Sequence, residues 1–163
     1  MASTIQRITP FLWFEDRAEE AAKFYTSVFK NSEIVSTTRY TQEAAKASGR
    51  PPGSAMTVVF RLDGLEFVAL NGGPGFKFTE AVSFVVNCGS QQEIDYYWNR
   101  LSAGGDERAQ QCGWLKDRFG LSWQIVPANM ERLLSSSDPE RARKIMAAIL
   151  QMKKIDMETL ARV

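Results

Sequence analysis

A chain of 163 residues, 44% hydrophobic and 11% aromatic, can bury a core as one domain or as two small modules that share one. Its 20 basic and 19 acidic residues leave a formal charge of +1 without a long block of like charge, which argues against a nucleic-acid partner. Histidine is absent, so Ser-His-Asp triads, Cys-His dyads, H-E-x-x-H zinc helices and Cys2His2 sites are excluded. Carboxylates, Lys, Tyr and two thiols remain for acid-base work, and they would need strong environmental shifts. No apolar run approaches the roughly 20 residues that span a bilayer, and residues 1–10 lack the apolar core of a signal peptide. Cys88 and Cys112 lie outside any C-x-x-C pattern, so a cytoplasmic protein with reduced thiols and no membrane partner is expected.

In chain order, Ile5 to Phe14 reads as an apolar strand with Pro10 suited to an edge. Asp16-x-x-Glu19 reads as a capping box, and Ala18, Ala21, Ala22, Tyr25, Val28 and Phe29 recur at helical spacing after it. Ser32 to Tyr40 is rich in β-branched residues and reads as a strand. Thr41 to Ser54, with G-R-P-P-G-S, reads as a mobile loop. Met56 to Leu62 and Leu65 to Leu70 flank Asp63-Gly64, a tight hairpin turn. Asn71-Gly-Gly-Pro-Gly75 lacks the Lys-Ser/Thr of a phosphate loop and reads as a bend between modules.

The second half repeats the first. Ala81 to Asn87 is a strand, Ser90-x-x-Glu93 a capping box, and Ile94, Tyr97, Trp98 and Leu101 a helical stripe. Ala21, Phe24, Tyr25 and Val28 map onto that stripe under one constant shift. Gly104-Gly105 ends the helix, a short strand is expected near Arg108 to Gln110, and Cys112 to Leu115 and Ser122 to Val126 form a hairpin around Lys116, Asp117, Arg118 and Gly120. The reading is a single domain over 1–163, with one βαβββ module at 5–74, a second at 75–128 and a C-terminal helical segment at 129–163. In that segment residues 129–134 form a short turn, and Asp138-Pro139 starts a helix with Ala142, Ile145, Met146 and Ile149 on its apolar stripe.

I-T-P-F-L-W-F-E-D with A-E-E-A-A-K-F-Y, L-E-F-V-A-L-N-G-G-P, and Q-C-G-W-L-K-D-R-F-G-L-S-W-Q-I-V-P together resemble the PhnB-like branch of the glyoxalase, bleomycin-resistance and dihydroxybiphenyl-dioxygenase superfamily. The resemblance implies an α+β vicinal oxygen chelate fold, with paired βαβββ modules forming U-shaped sheets around a cavity. It also implies a homodimer. Proteins of this branch often carry the label 3-demethylubiquinone-9 3-methyltransferase, but F-E-D-R-A-E-E has no glycine where a doubly wound methyltransferase fold places its glycine-rich loop. No S-adenosylmethionine or other cofactor is expected.

Strand alternation proposes which side chains face the cup. Thr9, Phe11 and Trp13 point inward with Ile8 and Leu12 on the helix side; Phe67, Ala69 and Asn71 point inward with Val68 and Leu70 on the helix side. Ala81, Ser83, Val85 and Gln124 point inward, and Cys112 and Trp114 share one face of a strand whose direction the pattern leaves open. The candidate ligand-binding residues are therefore Thr9, Phe11, Trp13, Phe67, Asn71, Ser83, Cys112, Trp114 and Gln124.

Metal-using relatives of this fold hold an ion with His and Glu on four strands. Here those positions carry Thr9, Ala81 or Ser83, Phe67 or Ala69, and Gln124, so no metal is expected. Two functions follow: a metal-independent protein that binds a small organic ligand, or a lyase, isomerase or transferase using a carboxylate or Cys112 on a small oxygenated substrate.

Overall fold

In the computed structural model, which describes residues 5–163, alternate apolar residues on short strands build one sheet in each of two units, Met1–Lys77 and Phe78–Val163. The first four residues of the expected 1–163 domain lie outside the described residues. No helix among the described residues is long and apolar enough to cross a membrane.

The first unit runs β1 (Phe11–Phe14), α1 (Ala18–Val28), β2 (Glu33–Arg39), α2 (Gln42–Ser48), β3 (Ala55–Leu62) and β4 (Leu65–Asn71). Its sheet has the order β1-β4-β3-β2, with β1 parallel to β4 and the other pairs antiparallel. Leu12, Phe14, Val58, Phe60, Phe67 and Ala69 are buried on one face, as are Ala18, Ala21, Ala22, Tyr25 and Val28 of α1. The Tyr25 ring stacks on Phe60 at 6.2 Å and Phe60 on Phe67 at 5.5 Å, which identifies that face as the helix side. The hairpin at Asp63-Gly64 forms as expected, both residues taking the positive φ that a tight two-residue turn requires.

Three expectations for this unit are corrected. The strand expected over residues 5–14 begins only at Phe11, because the Gln6 carboxamide takes both backbone groups of Glu66: Nε2 donates to Glu66 O at 2.9 Å and Oε1 accepts from Glu66 N at 3.0 Å. Asp16 and Glu19 form no capping box, since the helix starts from Arg17, whose side chain makes no capping bond. The loop expected over 41–54 contains α2, capped by Thr41 Oγ1 accepting from Ala44 N and stopped by Gly49 in the left-handed region.

The second unit runs β5 (Ser83–Cys88), α3 (Gln91–Ser102), β6 (Trp114–Lys116), β7 (Ser122–Pro127), then α4 (Met130–Leu134), α5 (Pro139–Ile149) and α6 (Met157–Ala161). Its sheet has the order β5-β7-β6, with β5 parallel to β7 and β6 antiparallel to it. That repeats the first sheet without its outermost strand. The strand expected near 108–110 is instead a 3-10 turn, Glu107–Ala109, because Asp106 Oδ1 accepts from Arg108 N and the Arg108 guanidinium folds back onto the same carboxylate. The Ser90 cap forms as read, with Glu93 closing it on Gly89 N. Ile94, Trp98 and Leu101 are buried from α3, as Ala21, Tyr25 and Val28 are from α1.

The C-terminal segment docks onto α3 and the approach to β6. Cys112 N and Gly113 N donate to Met152 O and Lys153 O, each at 2.8 Å, and the Gln91 carboxamide binds Ile155 O and Met157 N. Ile145, Ile149, Ile155 and Leu160 are buried.

After β4 the Asn71-Gly75 bend wraps the Trp13 indole, whose Nε1 donates to Gly73 O at 2.9 Å and whose ring meets Phe76 edge-on at 4.9 Å. Gly72 lies so close under that ring that a Cβ would overlap it. Gly72→Ala is therefore expected to cost about 1–3 kcal/mol through overpacking, read as a lower urea midpoint by tryptophan fluorescence; an unchanged midpoint would contradict this packing.

Candidate functional site

The face of the second sheet that turns away from the helix side carries the candidate site. Trp123 and Ile125 are buried on the helix side, so Ser122 and Gln124 alternate onto the other face. The register places Ser83 and Lys116 on either side of Ser122, and Val85 and Trp114 on either side of Gln124. Gln124 Nε2 donates to Ser83 Oγ at 2.9 Å. That leaves Gln124 Oε1 as an acceptor and the Ser83 hydroxyl hydrogen as a donor. Ser122 is only 1% exposed, and its Oγ is buried without a hydrogen-bond partner. An unpaired buried hydroxyl costs about 1–3 kcal/mol, and with its Oγ covered by protein atoms Ser122 lies beneath the face rather than on its accessible surface.

The charge on this face is already balanced. Lys116 Nζ lies 2.5 Å from Glu80 Oε1, and the hydrogen bond from Lys116 is the main cause holding the Glu80 carboxyl below its ordinary range. The turn behind the site hangs on Asp117, which is 2% exposed: Oδ1 accepts from Phe119 N and Leu121 N, and Oδ2 from Trp123 Nε1. This carboxylate shapes the β6–β7 hairpin.

On the first sheet, Phe11 and Trp13 pair with Val68 and Leu70 in register and share with them the face opposite the helix side. Glu66 lies in the same phase and is 3.5 Å from Arg61, which also binds Glu33 at 2.9 Å.

Several sequence-predicted residues sit elsewhere than expected. Phe67 and Asn71 face the helix side, so the phase read for β4 was inverted and Val68 and Leu70 take the open face. Ile8, expected on the helix side, is 83% exposed. Thr9 precedes β1, and its Oγ1 accepts from Gln6 Nε2 at 3.3 Å. Cys112 lies in a turn rather than a strand: Cys112 and Gly113 both have positive φ, and Gln111 and Trp114 exchange backbone hydrogen bonds across them. Ala81 precedes β5. Ser83, Trp114 and Gln124 are brought together, and Ser122 and Lys116 join them. Both could have been found by counting in twos from Gln124 and Trp114.

The other thiol, Cys88, is buried on the helix side of β5 and pushed up to about 11, first by burial and then by the charge of Glu93. It stays protonated and unreactive at neutral pH.

These two βα-containing sheets with a common strand order define a vicinal oxygen chelate fold, and comparison with known proteins supports that assignment. The chain shares 38% identity with the PhnB protein from Bacillus cereus over 76% of this chain and all of that one, at a TM-score of 0.64. The fosfomycin resistance protein FosX from Mesorhizobium loti shares 14% identity over 83% of this chain and 100% of that one, with a TM-score of 0.54. FosX from Listeria monocytogenes, complexed with Mn(II) and sulfate, shares 16% over 80% and 94%, with a TM-score of 0.50. The chain belongs to the family described as 3-demethylubiquinone-9 3-methyltransferase, whose profile matches residues 6–126. No curated protein matches the sequence.

Asn71, expected in the cup, is instead committed to the fold: Oδ1 accepts from Ala18 N at 2.8 Å and Nδ2 donates to Ala55 O at 3.2 Å. Asn71→Ala is expected to cost about 2–3 kcal/mol, from a lost helix cap and an unpaired buried carbonyl, and Asn71→Asp to recover part of it by keeping the acceptor. Urea unfolding measures both. A ligand contact without structural duty would leave the midpoint unchanged.

Proposed function

We propose that the chain binds a small organic ligand without a metal ion, on the open face formed by Ser83, Ser122, Gln124 and Trp114. The pairing of Gln124 with Ser83 carries this reading: it leaves Gln124 Oε1 as a free acceptor and the Ser83 hydroxyl as a free donor, with Trp114 opposite Gln124 in the register. A flat ligand with neighbouring donor and acceptor groups, stacked on Trp114, would satisfy both hydrogen-bonding groups.

The residues present do not fit the metal that this fold holds in some relatives. On the face proposed here Ser83, Ser122 and Gln124 are neutral, and the charged side chain beside them, Lys116, is itself a cation. The carboxylate of Glu66 is paired with Arg61. Among the described residues no group of three or more His, Cys, Asp or Glu is placed to hold an ion. A dication there would lose its hydration without a compensating negative charge.

Binding is favoured over catalysis because Lys116, the charged side chain on this face, is neutralised by Glu80. The methyl transfer named in the family description is not part of this reading. The turn from β1 to α1, Glu15-Asp16-Arg17, has no glycine with which backbone could approach a nucleotide cofactor.

Elemental analysis of protein purified without an affinity tag is expected to find well under one equivalent of transition metal, and titration with zinc, nickel or manganese to give no tight stoichiometric site. A bound equivalent that disappears in Gln124→Ala would overturn the metal-independent assignment.

A further inference from the structure

The segment beyond residue 126 lies outside the family match, yet it contains two cavities of its own. One, of about 350 Å³, is lined on its polar side by Ser135, Ser136 and Ser137. The other, of about 310 Å³, is lined by apolar groups including Pro127, Met157 and Leu160. Arg132, Leu133 and Arg141 line both, so the two cavities adjoin through one shared wall.

The arginines of this segment divide into two kinds. Arg143 pairs with Glu140 and Arg162 with Glu158, each one turn away on its own helix. Arg132 and Arg141 have no ion-pair partner among the described residues, and no acidic side chain lines either cavity. Glu140, next to Arg141, is paired with Arg143, and Asp138 spends Oδ1 on Glu140 N and Arg141 N as the cap of α5. Both arginines are exposed and line the two cavities together, so an anion bound there can accept bidentate hydrogen bonds from them.

We propose that this double cavity binds a small amphipathic organic anion. Its carboxylate or phosphate group lies between Arg132 and Arg141, with serine hydroxyls as further donors. Its apolar body fills the cavity beside Leu133, Met157 and Leu160. The site is separate from the sheet face treated above, so either assignment can fail without the other.

The test is calorimetric titration of the full chain with octanoate, octyl phosphate and octylammonium at low and moderate salt. One saturable site is expected for octanoate or octyl phosphate, with the comparison of the two fixing the preferred head group. Affinity should fall about tenfold or more in R132Q and in R141Q, and should weaken with salt. Octylammonium should not bind there. Equal binding of octylammonium, anion affinity unchanged in both variants, or no anion binding would each overturn the proposal. If R141Q, in the first turn of α5, loses helicity by circular dichroism, R132Q alone decides.

Discussion

The Asn71 carboxamide is the contact on which the first unit depends. It lies at the end of β4, where α1 begins, β3 begins and the chain leaves β2. Its oxygen replaces the side-chain cap that α1 lacks, its nitrogen satisfies Ala55 O, and its backbone carbonyl accepts from the Tyr40 hydroxyl. The next residue, Gly72, donates to Phe14 O at the end of β1. Four elements are thus fixed by hydrogen bonds from two consecutive residues, all in a region where an unmade bond would be costly. The second unit solves the same problem with different groups. Gln91 clamps the C-terminal segment to α3, and Asp117 holds the β6–β7 turn.

Fixing the helix side in this way determines what the opposite faces can do. Once Phe60, Phe67 and Ala69 are buried beside Tyr25, the pleat leaves Val68 and Leu70 beside Phe11 and Trp13. In the second unit the burial of Trp123 and Ile125 leaves Ser122 and Gln124 beside Ser83 and Trp114. The first face is mainly apolar, and the second is neutral but rich in hydrogen-bonding groups. The second face suits an uncharged or weakly polar organic molecule better than a hydrated cation.

Much of this was legible in the sequence. The duplication was visible because Ala21, Tyr25 and Val28 repeat as Ile94, Trp98 and Leu101, and helical periodicity survives substitution of size. The β5 and β7 phases could be read because Trp123 and Ile125 alternate cleanly with Ser122 and Gln124. The β4 phase could not: L-E-F-V-A-L-N is apolar on both faces, and only the stacking of Phe67 on Phe60 decides between them. Asn71 was misread for a related reason, since its partner Ala18 lies 53 residues away. Local turn chemistry misled in the other direction. The G-R-P-P-G-S stretch hid α2, although Thr41 and Gly49 mark both of its ends, and Cys112 was read as a strand residue when a following glycine made it half of a tight turn.

We propose a ligand site on the neutral face of the second sheet. Diffraction from crystals of protein purified without added ligand tests it most directly. Density for an organic molecule is expected within hydrogen-bond distance of Gln124 Oε1 and Ser83 Oγ, against the Trp114 ring. A metal ion coordinated on that face, or only bulk water beside Gln124 Oε1 and the Trp114 ring, would contradict the assignment.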